Sequence, residues 1–233
     1  MRSLFSKFKL FIWVSVAPLW LLALGLQSSC QPQAEPVPES VRQLQIKAEQ
    51  GAAAAQFSLG SIYEYGNDVA KDLPKASKWY QKSADQGFAQ AQLNLAHCYD
   101  FGIGVSRNLV EAAKWYTKAA DQGVIQAQFM LAECYEAGRG VPQDQSMAFA
   151  LYKKAADQGM DRAQYRVYRC YFHGAGVEKD FVAAYAYYKL AGLEDGEKKL
   201  SFIERQMSSE QIVKGQILAK KIQSEIEKNA LSR

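Results

Sequence analysis

Three arginines, Arg162, Arg166 and Arg169, stand four and three residues apart, the spacing that lines side chains along one face of a helix. Planar guanidinium groups fork onto carboxylates and phosphates, so this stripe is equipped to take an anion. It continues to His173, and the same offset upstream collects Gln90, Asn94, His97 and Phe101, then Gln126, Met130, Glu133 and Ala137. From these rows the expected partner-binding set is Asn94, His97, Phe101, Met130, Glu133, Arg162, Arg166, Arg169 and His173. The competing reading is a solvated face, or one paired internally with Glu194, Asp195 and Glu197. Phe101 and Phe172, each beside a glycine-rich loop, are expected to pack into the core rather than stand out as anchors.

Other chemistry is sparse. His97 and His173 are the two histidines of the chain, which leaves little general-base capacity. There is no His-Glu-x-x-His, no phosphate loop and no nucleophile elbow, so no catalytic residue, metal or cofactor is expected. Cys98, Cys134 and Cys170 are spaced by 36 residues. Equivalent residues in stacked units lie about 10 Å apart, beyond the roughly 7 Å between α-carbons that a disulfide allows. They read as small buried core residues.

That spacing of 36 is the element that must position everything else. Gly51, Gly87, Gly123 and Gly159 fall on it, as do Ala55, Ala91, Ala127 and Ala163, and Tyr80, Tyr116, Tyr152 and Tyr188. Such a period marks units that cannot bury their own apolar faces and must stack. In the second unit Ala91, Leu95, Cys98 and Tyr99 form an apolar helical stripe, and Gly102 ends it in the left-handed conformation. Asn108 with Glu111 resembles a capping box for a second helix carrying Ala112, Trp115, Tyr116, Ala119 and Ala120. Asp72, Asp144 and Asp180 start the equivalent helices, and Asp68 stands where the other units have a second glycine. The periodic Gln56, Gln92, Gln128 and Gln164 suggest structural hydrogen bonding.

The expected order is a signal peptide at 1–29, a Pro-rich tether at 30–40, a capping helix at 41–50, and units at 51–86, 87–122, 123–158 and 159–194. Capping helices at 195–233 follow, the last with an apolar stripe of Ile212, Ile217, Ile222 and Ile226 and a Ser208–Gln211 capping box. The first segment places Arg2, Lys7 and Lys9 before the apolar run Leu10–Leu26, the order of a secretory signal. An uncleaved anchor is the alternative. Gln27-Ser28-Ser29-Cys30 resembles a bacterial lipobox, with Gln27 in place of the usual leucine, which implies lipidation of Cys30. Setting the signal aside lowers 28 basic residues to 25 against 24 acids, so the body is nearly neutral and nucleic acid is not an expected partner.

Ala91-Leu95-Tyr99-Gly102-Gly104-Val105, then Asn108-Ala112-Trp115-Tyr116-Ala119-Ala120-Gly123, resembles the Sel1-like repeat, a relative of the tetratricopeptide repeat. Asn108, Leu151, Tyr187 and Asp195 are its main departures. The resemblance implies an all-α, right-handed α-solenoid that acts as a scaffold or adaptor. The partner would be another protein or peptide held on the concave face of the first helices, in the periplasm or cell envelope. Two rival functions are an envelope enzyme acting on peptidoglycan or a β-lactam, and recognition of an anionic glycan or lipopolysaccharide by the arginines.

Overall fold

The structure, a computed structural model, describes residues 37–192 and 196–231, and of Gly196 to Lys199 the backbone only. The expected signal peptide, Cys30, most of the tether, Glu194 and Asp195 lie outside the described residues, as does the side chain of Glu197.

Every regular element described is an α-helix. The chain opens with α1 (Glu39–Glu49) and alternates first and second helices: α2 (Ala53–Tyr65) with α3 (Leu73–Asp85), and α4 (Ala89–Phe101) with α5 (Leu109–Asp121). Then come α6 (Ile125–Ala137) with α7 (Gln145–Ala156), and α8 (Asp161–His173) with α9 (Phe181–Leu190). α10 (Gly196–Glu204) and α11 (Ser209–Leu231) close it. Each helix packs on the next up to α10, and α11 packs on α9, so the hairpins stack in series as an α-solenoid. α1 starts two residues ahead of the expected Val41, with Pro38 as N-cap and Glu39 in the first turn, where a carboxylate favours the positive helix end.

The sequence signals for starts and stops act as written. Asp72, Asn108, Asp144 and Asp180 each accept a backbone N–H at the head of a second helix. Their own N–H groups donate to Tyr63, Tyr99, Tyr135 and Tyr171, which fastens each connecting loop to its first helix at 2.8–3.1 Å. Glu111 does not complete a reciprocal box with Asn108, because its carboxylate pairs instead with Lys114 at 2.6 Å. Ser208 and Gln211 do form both halves of theirs, at 2.8 and 3.2 Å.

The second glycine of each loop is required by close approach. A Cβ on Gly104, Gly140 or Gly176 would lie 2.0–2.1 Å from the carbonyl oxygen of Leu73, Leu109 or Gln145, at the head of the preceding unit's second helix. Asp68 occupies that position in the first unit and also has a positive φ, 64°. It stands exposed.

The main apolar core runs from α3 to α11, with Tyr80, Tyr116 and Tyr152 fully buried. A smaller cluster at the front packs Val41 and Ala48 of α1 with Ala55 and Leu59, and half-buried Tyr63 touches both. At the far end α11 buries Gly215, Ala219 and Ile222, and a Cβ on Gly215 would stand 2.7 Å from the Tyr185 ring. The expected isoleucine stripe needs one correction: Ile217 is 62% exposed. The helix meets α9 along Gly215, Ala219 and Ile222, and Ile217 points off that line.

Candidate interaction face

The first helices present two faces with different work to do. Toward the second helices they carry hydrogen-bonded ladders. Gln56, Gln92 and Gln128 donate to the carbonyls of Ala48, Ala84 and Ala120 at 3.0–3.4 Å, each reaching back to the previous second helix. Their side-chain oxygens accept from Gln86, Gln122 and Gln158 at 2.7 Å. Gln56, Gln92 and Gln128 are buried, so each of their bonds offsets a desolvation cost that an unpaired amide would carry. Gln164 makes the donor half at 3.5 Å, but its buried oxygen has no hydrogen-bond partner among the described residues. One period beyond Gln158 stands Glu194, outside the described residues.

A second ladder escaped the sequence reading. Tyr80, Tyr116 and Tyr152 each donate a hydroxyl to an acid sixteen residues earlier, Glu64, Asp100 and Glu136. Burial first, and the neighbouring acid next, hold these phenols protonated well above their ordinary range. The periodic acid was visible at 64, 100 and 136, just after the periodic tyrosines 63, 99 and 135. In the fourth unit the position is Phe172, half-buried against Phe181 and Phe202 at ring separations of 5.5 and 5.9 Å.

Arg166 belongs to this ladder. It donates to Glu136 at 3.1 Å and to Glu133 at 2.8 Å, bridging consecutive first helices, and its guanidinium lies 5.6 Å from the Tyr152 ring centre. Among the described residues the internal partners of the stripe are acids of α6, while Glu194, Asp195 and the side chain of Glu197 lie outside those described. Asp100, 1% exposed, has Met130 at the place that Arg166 holds for Glu136, and Arg139 of the following loop reaches it instead at 3.6 Å. Asn94 is the corresponding residue beside Glu64, where it hydrogen-bonds the Tyr80 hydroxyl.

Arg162 and Arg169 differ from Arg166. Both are exposed, and among the described residues neither has an ion pair. The Arg162 guanidinium lies 4.8 Å from the ring centre of buried Phe129. Together with Asp161, Tyr165 and Arg166 these residues line an open depression of about 330 Å³. Along the same row Tyr65 and Phe101, the last residues of α2 and α4, are 67% and 61% exposed. This overturns the expectation that Phe101 packs inward, since it stands on the outer side of the final turn, while Phe172 lies one residue round toward the core. His173, at the equivalent end of α8, is also exposed.

His97 is turned inward, with its ring 5.6 Å from Tyr116 and its buried Nε2 without a hydrogen-bond partner among the described residues. Burial pulls it below the ordinary 6.5, against the pull of Asp100 and Glu64. Cys98, Cys134 and Cys170 are free and buried, and burial raises them from 9.0 to about 12, 11 and 11. Protonated thiols of this kind are poor nucleophiles. No cluster of metal-ligating side chains occurs among the described residues, and no described helix is long and apolar enough to cross a membrane.

Serially stacked helical hairpins with an outward row of register positions define an α-solenoid repeat protein. The chain belongs to the Sel1 repeat family, whose model matches residues 53–88, 89–124, 125–160 and 161–195, more than half of the 233. It is similar to a solved Sel1 repeat protein from Oxalobacter formigenes, at 32% identity over 72% of this chain, with a TM-score of 0.65. It is also similar to c5321, described as a protective antigen of uropathogenic Escherichia coli strains, at 32% identity over 83% of this chain, with a TM-score of 0.50. The chain spans 50% of the length of each of these two structures. No curated protein matches it. Sel1 repeat proteins generally act as scaffolds for protein–protein interaction.

Proposed function

We propose that this protein is an exported scaffold of the bacterial cell envelope that holds another protein on the exposed row of its first helices. The observation that supports this reading is the division of labour on those helices. Gln56, Gln92, Gln128, Asp100 and Arg166 bond to the neighbouring unit or cap, whereas Tyr65, Phe101, Arg162 and Arg169 are exposed on the first helices. Exposed aromatic and arginine side chains are the types that dominate binding energy at protein interfaces. The basic and apolar start of the chain supports export, and Cys30 within its lipobox-like setting supports a lipid anchor.

A photo-crosslinking side chain placed at position 101 in the native cell tests the reading, with position 147 on the second-helix surface as control. Capture of one defined protein from position 101 alone supports it. Equal capture from both positions, or none from position 101, removes it. Retention of labelled fatty acid by the native chain and its loss in Cys30→Ser tests the anchor separately.

A further inference from the structure

Asp100 is a buried carboxylate with a cation on one side and a latent cation on the other. Its Oδ2 accepts from the Tyr116 hydroxyl at 3.3 Å. Its buried Oδ1 has no hydrogen-bond partner among the described residues and meets Arg139 only at 3.6 Å. That separation is too long for a hydrogen bond, so this oxygen is incompletely satisfied. His97 stands three residues earlier on α4, where helical side chains are neighbours. The buried Nε2 of its half-buried ring is likewise without a partner among the described residues.

We propose that these groups form an acid-operated exchange at the joint between the second and third units: on protonation His97 takes Asp100, and Arg139 is released. At neutral pH the tie runs between units, from Asp100 of α4 to the loop after α6. In acid it runs within α4 alone.

The two arrangements bind a proton unequally. With Asp100 turned to Arg139, a proton on Nε2 of His97 is buried without an acceptor, and burial pulls the ring below the ordinary 6.5. With Asp100 turned to His97, the imidazolium donates to a carboxylate, a charge-assisted bond stronger than a neutral one. The proton therefore shifts the population toward the second arrangement. The side chain of Arg139 is 32% exposed, so its released guanidinium passes into water rather than into the core. The contact of Gly140 on Leu109 is backbone against backbone and does not need Arg139, so the units stay in register while the side chain is freed.

The surrounding groups are otherwise engaged. Glu64 of α2 also acts on the ring, but it accepts the hydroxyl of Tyr80 from α3. Tyr80, Cys98, Tyr116 of α5 and Cys134 of α6 are held protonated by burial. Glu133 of α6 is paired with Arg166 at 2.8 Å. Arg107 donates to the backbone carbonyl of Asp100 at 2.8 Å. His97 is thus the group whose charge changes in mild acid beside Asp100.

The test is an NMR titration of the full-length protein from about pH 7.5 to 4.5. It follows the His97 ring signals together with the order of the Arg139 Nε–H bond, while circular dichroism follows the helices. As the ring titrates below 6.5, Arg139 is expected to lose its order with the same midpoint, down to the level of exposed Arg169. In His97→Gln, Arg139 should stay ordered across the range. In Asp100→Asn it should be mobile at every pH, and the His97 midpoint should fall because an attracting acid is gone. The inference is overturned if Arg139 stays ordered while His97 titrates, if it loosens equally in His97→Gln, or if the helices melt before His97 takes its proton.

Discussion

Gly140 and Leu109 meet so closely that a single added carbon on the glycine would lie 2.0 Å from the leucine's carbonyl oxygen. The contact joins the loop of one unit to the second helix of the unit before it. Gly104 with Leu73 and Gly176 with Gln145 repeat it along the stack. Neighbouring units are thus held in register by backbone against backbone, where no rotamer change can relieve a misfit.

Gly140→Ala is expected to cost about 3 kcal/mol or more, combining a left-handed side chain with a backbone collision. Gly123→Ala, at φ 84° with nothing within 4 Å of the added carbon, isolates the conformational part. That variant should lose only about 1 kcal/mol. Urea melts of the two compare them directly, and equal losses would contradict the packing argument.

Arg166 and Arg169 separate structure from surface. Arg166→Met should lower stability by about 1 kcal/mol, discounted because the pair is partly open to solvent. Arg169→Met should change it by less than about 0.5 kcal/mol. Thermal melts of both variants give the ranking, and a reversal would mean that the ladder at Glu136 is not maintained in solution.

Asp100 is buried, and among the described residues Arg139 is its one ion-pair partner. Arg139→Met leaves that carboxylate without its cation and is expected to cost about 2 kcal/mol. Asp100→Asn in the same chain should recover part of the loss, because an amide needs no counter-charge. A double-mutant cycle with purely additive losses would show that the two side chains do not interact.

The His97 ring gives a pH signature with a definite sign. Burial lowers its folded value below the 6.5 of an exposed histidine, so the unfolded chain binds the proton first. Stability should therefore fall as pH drops below 6.5, with no contribution from this group above it. His97→Gln should flatten the melting temperature against pH below about 6.5. Parallel curves for the two proteins would remove His97 from the acid response.

In a Cys30→Ser chain, Ellman's reagent at neutral to mildly alkaline pH should label no thiol in the native state, and Cys98, Cys134 and Cys170 after unfolding in guanidinium. Burial raises all three above 9.0 and shields them. The same shift makes the fold lose stability as pH rises above 9.0, where the unfolded thiols ionise first. Rapid native labelling would contradict the buried placement.

The helix pairs were legible because glycine, aspartate and tyrosine recur at one period, and each has a local role that needs no knowledge of tertiary contacts. The glutamine ladder was half legible: the periodicity of Gln56 and its equivalents showed a structural role, but not the donors thirty residues ahead. Arg166 shows where local reading ends. On its own helix it matches Arg162 and Arg169, and only the stacking of α6 against α8 brings Glu133 and Glu136 within reach. Phe101 and Ile217 were misplaced for the related reason that helical spacing assigns a face, while the neighbouring element decides which edge of that face is covered.

Because each glutamine rung bonds once to the second helix before it and once to the second helix of its own unit, every joint in the middle of the stack is made of the same parts. Duplicating one period would insert a piece that already fits on both sides, and excising one would leave two compatible ends. Lineages can therefore lengthen or shorten such a protein without redesigning its joints. Outward residues such as Phe101 and Arg169 lie off those joints and are left free to diverge.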